Sequence, residues 1–127
     1  MTGHRCGLED DEVPAGFVQL RVGGKRFETS VDVLLSDEES VFNAMLRGAW
    51  AQYGAGAKPM VFDRDPKRFR VVLNWLRTRE LVCEDGVTAE GIRAEAEFFQ
   101  MPTLAKEAMR LIQVSSISNP WQTVVDA

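Results

Sequence analysis

In 127 residues, 45% apolar and 27% charged, there is material for one domain with a sizeable core and too little for two. A formal charge of −4, from 19 acidic and 15 basic residues, speaks against a nucleic-acid duplex as main partner, because such binding needs a concentrated positive surface. No apolar run is long enough to span a membrane, residues 1–8 lack the apolar stretch of a secretory signal, and two distant cysteines (Cys6 and Cys83) read as free thiols in a reducing compartment. The expected location is therefore the cytoplasm, with the nucleus also open to the chain.

Residues 1–16 form an acidic leader around Glu9, Asp10, Asp11 and Glu12, too poor in apolar groups to offset ordering entropy and expected to be disordered. The folded domain is expected over 17–113. Phe17 to Val22 alternates, with Val18, Leu20 and Val22 on one side. Gly23-Gly24 supplies the positive φ of a tight turn, and Lys25 to Ser30 returns as the second strand of a hairpin with Phe27 inward. Val31 to Leu35 predicts a short helix. Ser36-Asp37-Glu38-Glu39 has the S-x-x-E form of a capping box ahead of a helix carrying Val41, Phe42, Met45 and Leu46 on one face.

Tyr53 to Pro59, with two glycines, predicts a loop, and Met60 to Phe62 a short buried strand. Phe62-Asp63-Arg64-Asp65-Pro66 then joins strand to helix. Pro66 suits the first helical position and Asp65 the cap before it. Phe69, Val72, Leu73 and Leu76 follow at helical spacing to about Arg79. Glu80 to Cys83 predicts a brief extended piece and Glu84-Asp85-Gly86 a turn. Thr88 can cap a helix that turns Ile92, Ala96 and Phe99 inward. Thr103 can cap a last helix striped with Leu104, Ala108, Leu111 and Ile112, before a polar tail over 114–127. A hairpin, then helices with one short strand inserted, is an α+β pattern, a small three-stranded sheet with a cluster of helices.

Four stretches, in this order, resemble the BTB/POZ domain of the potassium-channel tetramerisation (T1) and KCTD type. They are Leu20 to Thr29 (LRVGGKRFET), Phe62 to Pro66 with Phe69 beyond it, Val72 to Arg77 (VLNWLR), and Glu95 to Phe99 (EAEFF). The resemblance runs from about Val18 to Ile112 and implies the T1-type fold and self-assembly into a homo-tetramer or homo-pentamer. In KCTD proteins it implies an adaptor for the cullin-3 ubiquitin ligase, and in channels a module that sets subunit number. The His and three Cys that hold zinc between subunits in some T1 domains have no counterpart here, where His4 and two cysteines lack ligand spacing.

No enzyme, cofactor or metal is expected. Asp63 and Asp65 flank an arginine at a helix start, which suits a cap better than a catalytic pair, and a Ser or Cys nucleophile would need a positioned base, whereas His4 lies in the leader. Gly23-Gly24 lacks the Lys-Ser/Thr and the following helix of a phosphate-binding loop.

Lys67, Arg70, Asn74 and Arg77 make a largely basic stripe opposite the apolar face of their helix. It reads either as a solvated face or as a subunit boundary that meets Glu90, Glu95 or Glu97 of a neighbour, a head-to-tail contact that closes into a ring. Arg64 and Asp65 belong to the same expected boundary, Arg64 foremost. Phe98 lies about 100° around its helix from Phe99, so it is either a secondary core contact or an exposed anchor. In KCTD domains the Phe of the E-A-E-F pattern faces the cullin. Met45 to Gln52 resembles the loop in which cullin-binding BTB domains carry an apolar-x-Glu motif, with Trp50 in the apolar place and Gln52 in place of the Glu. Expected partner contacts are thus Trp50, Gln52 and Phe98.

Overall fold

The computed structural model describes residues 16–53 and 58–117, with backbone alone along 48–53 and 115–117. The expectations for residues 1–15, 54–57 and 118–127 lie outside the described residues. The chain divides after Pro66 into two compact units.

In the first unit, β1 (Phe17–Val22) and β2 (Lys25–Ser30) pair antiparallel with Phe17 opposite Ser30 and Val22 opposite Lys25. The turn between them is the expected one, with φ of 56° at Gly23 and 86° at Gly24. Short helix α1 (Val31–Leu35) follows, then α2 (Val41–Tyr53) and β3 (Met60–Phe62). Strand β3 lies parallel to β1, from Leu20 opposite Met60 to Val22 opposite Phe62, giving a mixed sheet of order β2-β1-β3. The alternation of β1 buries Val18, Leu20 and Val22, and Leu34, Phe42, Leu46 and Met60 join them in burial. Each such side chain contributes ~1.5–3 kcal/mol relative to exposure. Phe27 faces the same side as Leu20 but is only half-buried.

Two local expectations change here. Ser36 does not cap α2. It ends α1, its hydroxyl donating to the Val33 carbonyl at 2.6 Å, while Ser40 takes the cap position and accepts from the Asn43 amide at 3.2 Å. The reason is geometric: the intervening bend is already held by Asp37, whose carboxylate accepts from the Glu39 amide at 3.1 Å. In addition, α2 continues through Gly48 to Tyr53, so Trp50 and Gln52 lie on a helix and not in a loop; their side chains are outside the described residues. A glycine costs a helix only ~1 kcal/mol, which does not end one.

Helix α3 (Pro66–Thr78) starts at the junction between the units, with Pro66 first as expected. The second unit comprises the rest of α3, α4 (Ala89–Phe98) and α5 (Pro102–Ile117). Helix α3 buries Val71 and Trp75 as well as the expected Phe69, Val72, Leu73 and Leu76, so its apolar arc is wider than one stripe. It stops at Arg79, whose left-handed φ of 62° breaks the helical run. Residues 80–84 form no strand.

Thr88 caps α4, accepting from the Gly91 amide at 3.0 Å. The link from α4 to α5 is tight: Gln100 takes a φ of 59° and the Met101 amide donates to the Ala96 carbonyl at 2.7 Å. This return buries Phe99, Met101 and Leu104. Pro102, not Thr103, opens α5, again using proline's fixed φ, and the helix runs past Gln113 to Ile117. No described helix is long and apolar enough to cross a membrane.

Candidate functional site

The residues singled out by the sequence fall on α3, α4 and the end of α2. Lys67, Arg70 and Arg77 are exposed along α3, with Asn74 half-buried between them. Arg70 comes within 4.0 Å of Glu84, both side chains largely in solvent, a contact of small energetic weight. Arg64 is half-buried and Asp65 exposed just ahead of α3.

Glu95 is not where the ring reading needs it. It is 1% exposed on α4, and its carboxylate accepts from Arg68 of its own chain at 3.3 Å. A carboxylate taken out of water needs a local cation, and Arg68 supplies one. Glu95 is thereby removed from the acids a neighbouring copy could meet; Glu90 and Glu97 remain exposed, the latter joined to Arg93 one turn back at 3.2 Å.

Arg68 escaped the sequence reading because it stands outside both the apolar and the basic stripe of α3. A signal for it did exist in Gly91, a glycine inside a helix. A Cβ at Gly91 would lie 2.7 Å from the Arg68 Nε, so the missing side chain makes room for the guanidinium.

Phe98, at the last position of α4, is 44% exposed. Its ring stands edge-on to fully buried Phe99, centroids 4.9 Å apart and planes at 87°. Phe99 in turn tilts against buried Phe69 at 5.5 Å. The three rings form a series from the interior of the unit to its surface. Edge-on aromatic contact holds the outermost ring in a defined pose while leaving part of it in water.

The described residues contain no group of three or more His, Cys, Asp or Glu side chains fit to hold a metal ion. Cys83 is a free thiol whose pKa is raised, first by burial and then by the charge of Glu90. Such a shift makes it a poorer nucleophile at neutral pH.

A unit with a mixed three-stranded sheet, and a helical unit with an exposed basic helix face and a half-exposed aromatic, make this an α+β protein. Its family follows from sequence comparison: the BTB/POZ domain profile matches residues 18–109, and the chain belongs to the BTB/POZ family. Among its relatives are human BTB/POZ domain-containing protein KCTD3, 37% identical over 111 residues, and rat SH3KBP1-binding protein 1, 34% identical over 100 residues. The matches cover 86% and 79% of this chain and 14% of each relative. An Arabidopsis thaliana protein, FH protein interacting protein FIP2, is 35% identical over 96 residues, 74% of this chain and 32% of its own. The chain thus spans less than a third of these relatives' length. BTB/POZ domains are protein-interaction domains that generally self-associate, and the KCTD relatives place this chain among them.

Proposed function

We propose that this domain assembles with copies of itself into a ring of four or five and, in that form, acts in the cytoplasm as an adaptor for a cullin-3 ubiquitin ligase. The observation that carries the adaptor reading is Phe98: a large aromatic, 44% exposed, braced from below by a buried ring. A braced ring loses little freedom when a partner covers it, which is what makes aromatics effective anchors. Trp50 and Gln52, on α2 of the first unit, are further candidates for partner contact. Ring formation draws support from the exposed cations Lys67, Arg70 and Arg77, with half-buried Arg64 and exposed Asp65 just ahead of them; in the ring the cations would meet the exposed acids Glu90 and Glu97 of the next copy.

The test has two arms. Light scattering after size exclusion, at low and high salt, reads assembly, and a monomer at both ends the ring proposal. Capture of cullin-3 by wild type and by Phe98→Ala reads the adaptor role. Binding by wild type that falls at least tenfold in the variant supports it. A folded, assembled wild type that fails to bind leaves the second reading, a ring-forming scaffold or channel-type tetramerisation module without a ligase. The exposure of the α3 cations, independent of Phe98, favours that reading in such a case.

A further inference from the structure

The first unit contains a pocket of about 400 Å³ lined by Val31 and Leu35 of α1 and by Leu46 and Arg47 of α2. Val31 and Leu35 are one turn apart, as are Asn43 and Arg47, so the two helices present one wall each. Val31 and Leu46 are buried and Leu35 half-buried, which makes the floor aliphatic; Arg47 is exposed and stands at the rim.

How Arg47 is held is the second observation. Asn43 is 3% exposed and donates through its side-chain nitrogen to the Leu35 carbonyl at 3.1 Å. Its side-chain oxygen accepts from the Arg47 Nε. Its own backbone amide donates to the Ser40 hydroxyl. A buried amide therefore grips the guanidinium by one edge. The two terminal nitrogens of Arg47 donate to no acceptor among the described residues, and the exposed acids of the flanking segments, Asp32 and Glu39, do not pair with it. A guanidinium fixed at Nε keeps its end-on pair of donors for a carboxylate.

We propose that this pocket docks a short acidic peptide of a partner protein, one that places an aliphatic side chain on Val31, Leu35 and Leu46 and an adjacent Asp or Glu carboxylate on the terminal nitrogens of Arg47. Charge complementarity selects the occupant: in an acidic chain the one ionic group among the pocket's described residues is a cation, held at its Nε. The volume lies within the range of ordinary ligand pockets, roughly 300–1,000 Å³, and suits one or two side chains. This docking surface lies on other elements than Phe98 and stands or falls separately from the adaptor reading.

The experiment titrates the full chain with two labelled synthetic peptides, GSLEELSG and its cationic counterpart GSLKKLSG, by fluorescence anisotropy. The Arg47→Gln and Arg47→Lys variants are run alongside, and amide and methyl chemical shifts map the contact. The acidic peptide binds wild type, with shifts at Val31, Leu35 and Arg47. Arg47→Gln weakens binding about tenfold, as expected for loss of a charge-assisted hydrogen bond, and Arg47→Lys, lacking the Nε anchor, recovers only part of it. The cationic peptide does not bind. No saturable binding of GSLEELSG up to about 1 mM, the weak end of useful affinity, overturns the proposal. Equal binding of the two peptides, binding indifferent to Arg47→Gln, or shifts confined to other elements overturns it as well. So does a pocket already filled in the free chain, seen as shifts of residues 8–13 or concentration-dependent shifts that Arg47→Gln abolishes.

Discussion

Arg68 and Glu95 meet at 3.3 Å, an arginine that is 38% exposed reaching a carboxylate that is 1% exposed. The asymmetry predicts the outcome of cutting the pair. Arg68→Ala takes away the cation that the Glu95 carboxylate meets in the interior. Loss of one partner of a fully buried pair costs ~3–5 kcal/mol, and the exposure of Arg68 lowers the expected value to about 2 kcal/mol. Urea denaturation measures it. Gly91→Ala extends the test, because its Cβ meets the Arg68 Nε at 2.7 Å. In wild type the substitution displaces the guanidinium and destabilises. In the Arg68→Ala background the steric cost is gone and the higher helix propensity of alanine stabilises by ~1 kcal/mol. An effect of the same sign in both backgrounds would refute the coupling.

The hairpin glycines divide by surroundings more than by φ. Both have positive φ, but a Cβ on Gly24 meets nothing within 4 Å, whereas one on Gly23 runs into the Arg64 carbonyl oxygen and comes within 2.7 Å of the Pro66 Cδ. The Gly23 amide also donates to the Phe62 carbonyl at 2.9 Å, which binds the turn to the strand-to-helix junction. Gly24→Ala is expected to cost ~1 kcal/mol, the strain of a left-handed alanine. Gly23→Ala adds a backbone collision that no side-chain rotation relieves, and is expected to cost ~3 kcal/mol or to prevent folding. Thermal melts of the two variants side by side check the order.

Helix starts show how far local pattern reaches. Thr88 and Pro66 were legible because cap and helix start are adjacent in sequence and nothing competes for them. Ser36 matched the capping pattern equally well, yet lost the role to Ser40. Two serines four residues apart both offered a hydroxyl, and the choice was set by where α1 ended. Ser40 is 1% exposed, so Ser40→Ala leaves the Asn43 amide without its acceptor in the interior. The expected cost is ~1–2 kcal/mol, against a few tenths for the exposed Ser36→Ala. Equal costs would return the cap to Ser36.

The surface residues were less legible than the fold, for a physical reason. Periodicity reports which face of an element is buried, and so found Val18, Leu20, Val22, Phe69, Ile92 and Phe99. It cannot report that a charged residue is buried because a partner elsewhere in the chain neutralises it. Glu95 looked like a surface acid, and the position of Arg68, 27 residues earlier, helps make its burial tolerable. Asn43 and Arg47 passed unremarked likewise, since the amide that orients the guanidinium depends on a carbonyl contributed by another helix.

Cys83 gives a prediction with a definite sign. Burial, then the Glu90 charge, raises its pKa, so the folded state holds the thiol proton more tightly than the unfolded chain does. Its contribution to stability is fully present below the ordinary thiol pKa and is lost as pH rises through the folded-state value. Alkylation by iodoacetamide near pH 8 should run slower than for an unfolded control, since the thiolate is the reactive form. Glu90→Gln removes the smaller cause and should raise the rate modestly, leaving it below the control. A folded-state rate equal to or above that of the unfolded chain would contradict the assigned shift.

Phe98 and Phe99 are neighbours in sequence and perpendicular in space, and they should respond to truncation in opposite ways. Phe99 is fully buried against Phe69, so Phe99→Ala opens a cavity and is expected to cost ~3–5 kcal/mol. Phe98 is 44% exposed, and its edge-on contact with Phe99 is worth ~0.5–1.5 kcal/mol. Phe98→Ala should therefore remain folded and assembled while losing the partner, whereas Phe99→Ala loses stability first and binding only as a consequence. Denaturation midpoints and partner capture, measured on both variants, separate the two. Should Phe98→Ala lower stability as much as Phe99→Ala, Phe98 would be a core residue and the docking anchor would have to be sought elsewhere.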